Sequence, residues 1–141
     1  YRLCSTRSRF GQPEIQLALI PGWGGCIRLS RLIRSSQALR LILPGEIIPA
    51  ETALQIGLVD EVVPPEDLLP AAKKLAEKIA SRSKQAIRLA KNTLNLVRQV
   101  PLFAGALIES DAFTRAFVHP DSLQAVQDFL NRQKPSGRVQ Q

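Results

Sequence analysis

From Pro64 onward, four successive segments place apolar residues at helical spacing. Segment 66–81 aligns Leu68, Ala72, Leu75 and Ile79, and segment 84–98 aligns Ile87, Ala90, Leu94 and Val97. Segment 102–117 carries Ala106, Phe113 and Phe117; segment 121–133 carries Leu123, Val126 and Leu130, with Asp121 after Pro120 as the expected cap. Half the chain is thereby committed to amphipathic helices, which must bury their stripes against each other or against a partner. Core packing is the first expectation for each stripe and a partner-facing surface the second.

Ahead of Pro64 the pattern is shorter in period and broken by Gly and Pro. Arg2 to Ser8 reads as a short strand and turn, Phe10 to Glu14 as a turn, and Ile15 to Ile20 as a short apolar run. Pro21-Gly22-Trp23-Gly24-Gly25 is a tight glycine loop, followed by Cys26, Leu29 and Ile33 at helical spacing. Ser35-Ser36 is expected to cap a helix over 37–43 that Pro44-Gly45 stops. Pro49-Ala50-Glu51 opens a third helix to Ile56, Gly57 ends it, and Leu58 to Val63 reads as a strand. The organisation is thus two regions, 1–65 and 66–141, the first with few short strands and the second helical. The tail from Pro135 to Gln141 is polar and expected to fray.

Composition narrows the function classes. No apolar run approaches the ~18 residues a bilayer span needs, and no secretory leader is visible in the first residues, so no membrane partner is expected. Methionine is absent and residue 1 enters directly into a strand pattern, so the chain reads as a processed form or a fragment, and the compartment stays open between cytoplasm and mitochondrial matrix. Cys4 and Cys26 stand in no metal-ligand spacing and read as reduced thiols of a reducing compartment. With His119 as the one histidine, neither a His-based catalytic scheme nor a metal site is expected. The net charge of +7 is uneven: +6 over residues 1–40, −6 over 41–70 and +7 over 71–141. Such a surface attracts polyanions, either nucleic acid or a phosphate-bearing molecule, or is a solvated helical face. Aromatic residues at 5% argue against a base-stacking single-strand binder, so nucleic acid is not the expected partner.

Glu14 is the most suggestive residue. It is the one acid among the first 45 residues, in Arg-rich surroundings that favour its charged form. A short apolar run separates it from a glycine loop that opens a helix and offers free N–H groups to an anion or a water. A carboxylate beside such donors suits general acid/base work. The bland alternative is a Glu that satisfies turn amides or pairs with Arg9.

The strings around it carry a resemblance. Phe10-Gly11-Gln12-Pro13-Glu14-Ile15, then Leu19-Ile20-Pro21-Gly22-Trp23-Gly24-Gly25, then Arg28-Leu29, closely resemble the enoyl-CoA hydratase/isomerase (crotonase) family. The likeness continues through Ala50-Glu51-Thr52-Ala53 and Gly57 to Pro64, and along the Ala-rich helices to Phe129 and Arg132. It implies an α/β fold, the C-terminal portion of a ββα spiral, in which residues 1–65 hold the active-site loop. Residues 66–141 would then serve trimerisation, or pairing into hexamers, and CoA contact. It implies a hydratase acting on 2-enoyl-CoA, with coenzyme A as part of the substrate and no further cofactor or metal. By the same resemblance Glu14 exchanges a proton at the α-carbon, and the peptide of Gly22 helps hold the catalytic water. Arg132 matches a position contacting CoA phosphates and Phe113 one near the adenine. Trp23 stands where the family has a small residue, and either narrows the acyl pocket or covers the core. The family's first glutamate and its oxyanion-hole donors would precede Tyr1 by register, which makes this chain alone inactive. An isomerase working with one carboxylate at Glu14, and a non-catalytic basic helical assembly or nucleic-acid-binding module, are the alternatives.

Overall fold

In a computed structural model, residues 1–133 are described; the expectation for Pro135 to Gln141 lies outside them. Two compact units separate inside one helix, the first spanning Tyr1–Ala76 and the second starting at Glu77.

The first unit is built on two small sheets. β1 (Leu3–Ser5) runs parallel to β4 (Glu61–Val63), with Cys4 opposite Val62. β2 (Arg9–Gly11) runs antiparallel to β3 (Ile47–Pro49), with Phe10 opposite Ile48. Between β2 and β3 lie a 3-10 turn over Pro13–Leu17 and two helices, α1 (Gly25–Leu32) and α2 (Ser35–Ile42). α3 (Ala50–Gln55) follows β3 directly. The core is Cys4, Leu29, Ile33, Ala38, Leu41, Ile48, Ala50, Ala53 and Val59, with Phe10 and Val62 packed against it. Leu29 and Ile33 are one helical turn apart, as are Ala38 and Leu41, so α1 and α2 each turn one stripe inward.

Arg2 ties this unit together. Its Nε donates to the Leu58 carbonyl at 2.6 Å and its Nη2 to the Gly57 carbonyl at 3.2 Å, just beyond the C-terminus of α3. Its backbone N–H donates to Asp60 Oδ2 at 2.7 Å, and its carbonyl accepts from the Asp60 N–H at 2.8 Å. A cation is favoured where helix carbonyls are left over. Beside it the Tyr1 hydroxyl donates to Glu61 Oε2 at 3.1 Å, and that bond, before any burial, raises the phenol's pKa.

Several local expectations are corrected. Phe10 and Gly11 belong to β2, and the turn begins after them. The run from Ile15 is a 3-10 turn, closed by Ala18 in the left-handed conformation. Ser35 and Ser36 lie inside the first turn of α2, behind the N-cap Arg34, and neither makes a capping bond. The strand expected from Leu58 shortens to Glu61–Val63, because Leu58 and Val59 donate back to the Ala53 carbonyl at 2.8 and 3.3 Å. β3 was not expected at all.

α4 (Leu68–Ala80) follows a 3-10 turn at Pro65–Asp67 and leads into the second unit, which holds α5 (Lys84–Val97), α6 (Leu102–Phe117) and α7 (Pro120–Gln133). Ser83 caps α5 by accepting from the Ala86 N–H at 3.4 Å, while its hydroxyl donates to Asp121 Oδ2 at 2.7 Å. Asp121, expected as the cap of α7, lies instead inside its first turn, and its carboxylate serves α5. α5 and α6 pack closely where Gly105 faces Val97, 3.6 Å from where a Cβ would sit. The stripes of α6 and α7 correct the core expectation: Phe113, Phe117, Leu123, Val126 and Leu130 are exposed, and Leu89 is the buried hydrophobic residue of this unit among the described residues.

Candidate active site

The first unit brings Glu14 and the glycine loop into one construction. Pro13 opens the 3-10 turn at a position where its missing N–H costs nothing, and Glu14 follows in the first turn. The Glu14 carbonyl accepts from Leu19 N–H at 3.1 Å, and the Ile15 carbonyl accepts from Ala18 N–H at 3.0 Å. Gln16 Nε2 donates to the Gly45 carbonyl at 3.0 Å, pinning the turn to the loop ahead of β3. Ala18 holds φ 56°, which costs an Ala on the order of 1 kcal/mol, so the backbone around Glu14 is fixed against local strain.

Gln12 fixes the side chain of Glu14. With its NH2 turned to the carboxylate, it donates to Oε1 at 3.2 Å and Oε2 at 3.3 Å. The same amide lies against Gly25, the first residue of α1; a Cβ there would come within 2.7 Å of the amide and 2.6 Å of Pro21 Cβ. Gly25 thus has no room for a side chain: Pro21 fills the space, and the amide that orients Glu14 lies beside it. Through Gln12, the turn carrying Glu14 and the loop carrying Gly22 share one contact. Glu14 is half-buried, and its ion pair with Arg9 does not form among the described residues.

The loop itself runs from buried Pro21 through exposed Gly22 and Trp23 to Gly24, which at φ 90° is the N-cap of α1. No side chain caps this helix. The Gly22 N–H donates to no group among the described residues, so a loop donor stays open to an outside acceptor. Trp23 is 97% exposed, which removes the core-covering alternative for it within this chain. Arg28 Nη2 donates to the Trp23 carbonyl at 2.7 Å. Together a half-buried carboxylate and an unsatisfied N–H can move a proton and hold a water.

Phe113 and Arg132 belong to the second unit. Phe113 is 67% exposed and stacks on Phe117, with ring centroids 5.9 Å apart and planes at 24°. Arg132 is exposed in the last turn of α7. Cys4 is buried, Cys26 half-buried, and both are free. No helix among the described residues is long and apolar enough to cross a membrane. The supporting residues Gln12 and Arg28 did not stand out as candidates; both lie inside the strings that carried the resemblance, and that was the one signal available for them.

Comparison with known proteins places the chain in a family. The family model for enoyl-CoA hydratase/isomerase matches residues 1–138. The crotonyl-CoA hydratase of Syntrophomonas wolfei is 39% identical over 134 residues, 95% of this chain and 52% of that protein. The short-chain-enoyl-CoA hydratase of Clostridium acetobutylicum is 40% identical over 136 residues, 96% of this chain and 52% of that protein. A solved enoyl-CoA hydratase from Bacillus anthracis matches at TM-score 0.89 and 39% identity, over 94% of this chain and 51% of that one. The chain spans about half the length of the curated relatives it matches. Match, identity and fold agree along nearly all of these residues: the chain belongs to the enoyl-CoA hydratase/isomerase family and has its helix-rich, crotonase-type α/β fold.

Proposed function

We propose that the protein carrying this chain hydrates 2-enoyl-CoA thioesters. The observation that carries the reading is Glu14, held by Gln12, whose amide lies against Gly25 at the end of the glycine loop, in a chain whose relatives are named hydratases. In the reaction, water oxygen bonds to C3 while the C2=C3 electrons move toward the thioester carbonyl. The enolate then takes a proton at C2, and water's remaining hydrogen stays as the 3-hydroxyl. Glu14, as a carboxylate, takes the proton that the water gives up as its oxygen bonds to C3 and returns it to C2, and the Gly22 N–H orients the water. Both need fixed geometry more than flexibility, which the 3-10 turn and the Gln12 contact supply.

The thioester oxygen needs preorganised donors, each worth roughly 3 kcal/mol. The family's oxyanion donors and its other glutamate have no match in these residues, so the reaction draws them from elsewhere in the complete protein. Trp23 bounds the acyl pocket from the loop. Phe113 offers an exposed ring for the adenine of CoA, and Arg132 a cation for its phosphates. The exposed stripes of α6 and α7 fit self-association into a trimer or hexamer. No metal and no further cofactor enters the scheme.

The test is hydration of crotonyl-CoA by the complete protein, followed as loss of the conjugated thioester absorbance. A 3-enoyl-CoA is the parallel substrate. Fast hydration with slow double-bond migration supports the proposal. Migration without hydration makes the protein an isomerase working through Glu14 alone. Turnover by residues 1–141 alone would contradict the assignment of donors outside them.

A further inference from the structure

We propose that Arg28 is a positioning residue of the hydratase reaction: its guanidinium holds the glycine loop in the conformation that presents Gly22 and Trp23. This rests on the hydratase reading for its kinetic consequence, but its structural half stands apart from that reading.

Between buried Pro21 and Gly25, against which Gln12 lies, the loop has little else to hold it. Three of its five residues are glycine, so its backbone has more freedom than any other stretch of this length in the chain. The Trp23 ring, 97% exposed, packs on almost nothing within the chain. The Cys26 N–H reaches the Pro21 carbonyl at only 3.4 Å. The Arg28 side chain, by contrast, reaches one loop carbonyl, and its backbone makes the first helical bond to the next. Its backbone N–H donates to Gly24 at 2.8 Å and its Nη2 to Trp23 at 2.7 Å.

The placement of that guanidinium is specific. Side chains on a helix lean toward its N-terminus, so Arg28, in the first turn of α1, can reach back over the loop. There its charge opposes the helix dipole, which disfavours a cation at an N-terminus. The site is nevertheless shaped around it. The N-cap is glycine for its φ of 90°, and a Cβ there, 2.6 Å from Nη1 and 2.7 Å from Cζ, would push the guanidinium off this position. A planar group with several donors in a fixed fork suits this position, whereas an ammonium could supply the bond but not the flat contact on Gly24. Without the side chain, the Trp23–Gly24 peptide can rotate, because Gly24 and Gly25 permit it. Gly22 and Trp23 would then sample many positions instead of one.

Trp23 is the one tryptophan of these 141 residues, and a Trp23→Phe protein measured alongside supplies the signal of any tryptophan elsewhere, so the difference reports on the loop. Three forms are compared: wild type, Arg28→Lys and Arg28→Met. Each is measured by Trp23 fluorescence anisotropy decay and by crotonyl-CoA hydration in the complete protein. In Arg28→Met, the fast local component of the decay should grow. kcat should fall at least about 10-fold, the scale of a small misplacement of a catalytic group, with KM changed less than about 2-fold. Added guanidinium should restore part of the lost kcat, and Arg28→Lys should fall between wild type and Arg28→Met. A merely stabilising residue would lower Tm without that split and without guanidinium rescue. Unchanged Trp23 motion in Arg28→Met overturns the loop-holding role. Faster Trp23 motion with wild-type kcat overturns the positioning role. An inactive wild type with faster Trp23 motion in Arg28→Met leaves the loop-holding role standing and removes the hydratase reading.

Discussion

At the scale of single residues, Glu14 and Gly22 were legible because backbone and chemistry coincide in short strings. The strings that carry the family resemblance single them out; spacing alone leaves open a Glu14 that satisfies turn amides or pairs with Arg9. What holds them was not legible. Gln12 and Arg28 act through side-chain reach, and nothing in spacing says that one amide touches both Glu14 and Gly25 or that one guanidinium lies on Gly24. Ala18 was equally silent, since a left-handed alanine has no signature. Its strain gives a prediction: Ala18→Gly should stabilise the protein by about 0.5–1 kcal/mol, the left-handed cost for Ala less the extra entropy glycine loses. Denaturant unfolding reads this, and a loss of stability would show that the Ala18 methyl group contributes packing. Trp23→Ala should open the acyl pocket and move kcat/KM toward longer or branched acyl groups by at least about 10-fold, the scale for a changed apolar pocket. A chain-length profile equal to wild type would separate Trp23 from the substrate.

At the scale of elements, α4 to α7 were readable from period alone, because three or more turns repeat the pattern and average out noise. The strands were not. β2 and β3 are three residues each, too short to show alternation, and β3 ends in a proline that reads as a break. Their pairing depends on residues about 40 positions apart, and a local pattern carries no such information. The link between β1, α3 and β4 is likewise non-local and passes through Arg2. Arg2→Ala should therefore destabilise the protein by about 1–2 kcal/mol, since two carbonyls lose a charged donor at a part-exposed site. A fall much below that in urea unfolding would mean that water replaces Arg2 at those carbonyls without cost. The Ser83–Asp121 bond shows the same limit on local reading: Asp121 reads as the cap of its own helix, but is the partner of another helix's cap.

At the scale of the whole molecule, the second unit exposes more apolar side chain than it buries: Leu102, Phe103, Phe113 and Val118 are all more than 60% exposed. Patterning predicts such stripes without saying what covers them, which is why core packing was the wrong first expectation for α6 and α7. Family membership, by contrast, was legible along almost the full length, because the motifs span both units. The central claim is narrower than membership: Glu14 moves the proton in enoyl-CoA hydration. Its most direct test is Glu14→Gln in the complete protein, with kcat for crotonyl-CoA measured beside the far-ultraviolet circular dichroism and Tm. Gln keeps the shape and a hydrogen bond to Gln12 but cannot exchange the proton. The account predicts that kcat falls at least ~100-fold, the usual share of general acid/base catalysis, with the spectrum and Tm near wild type. A folded Glu14→Gln protein that turns over at close to the wild-type rate would contradict it.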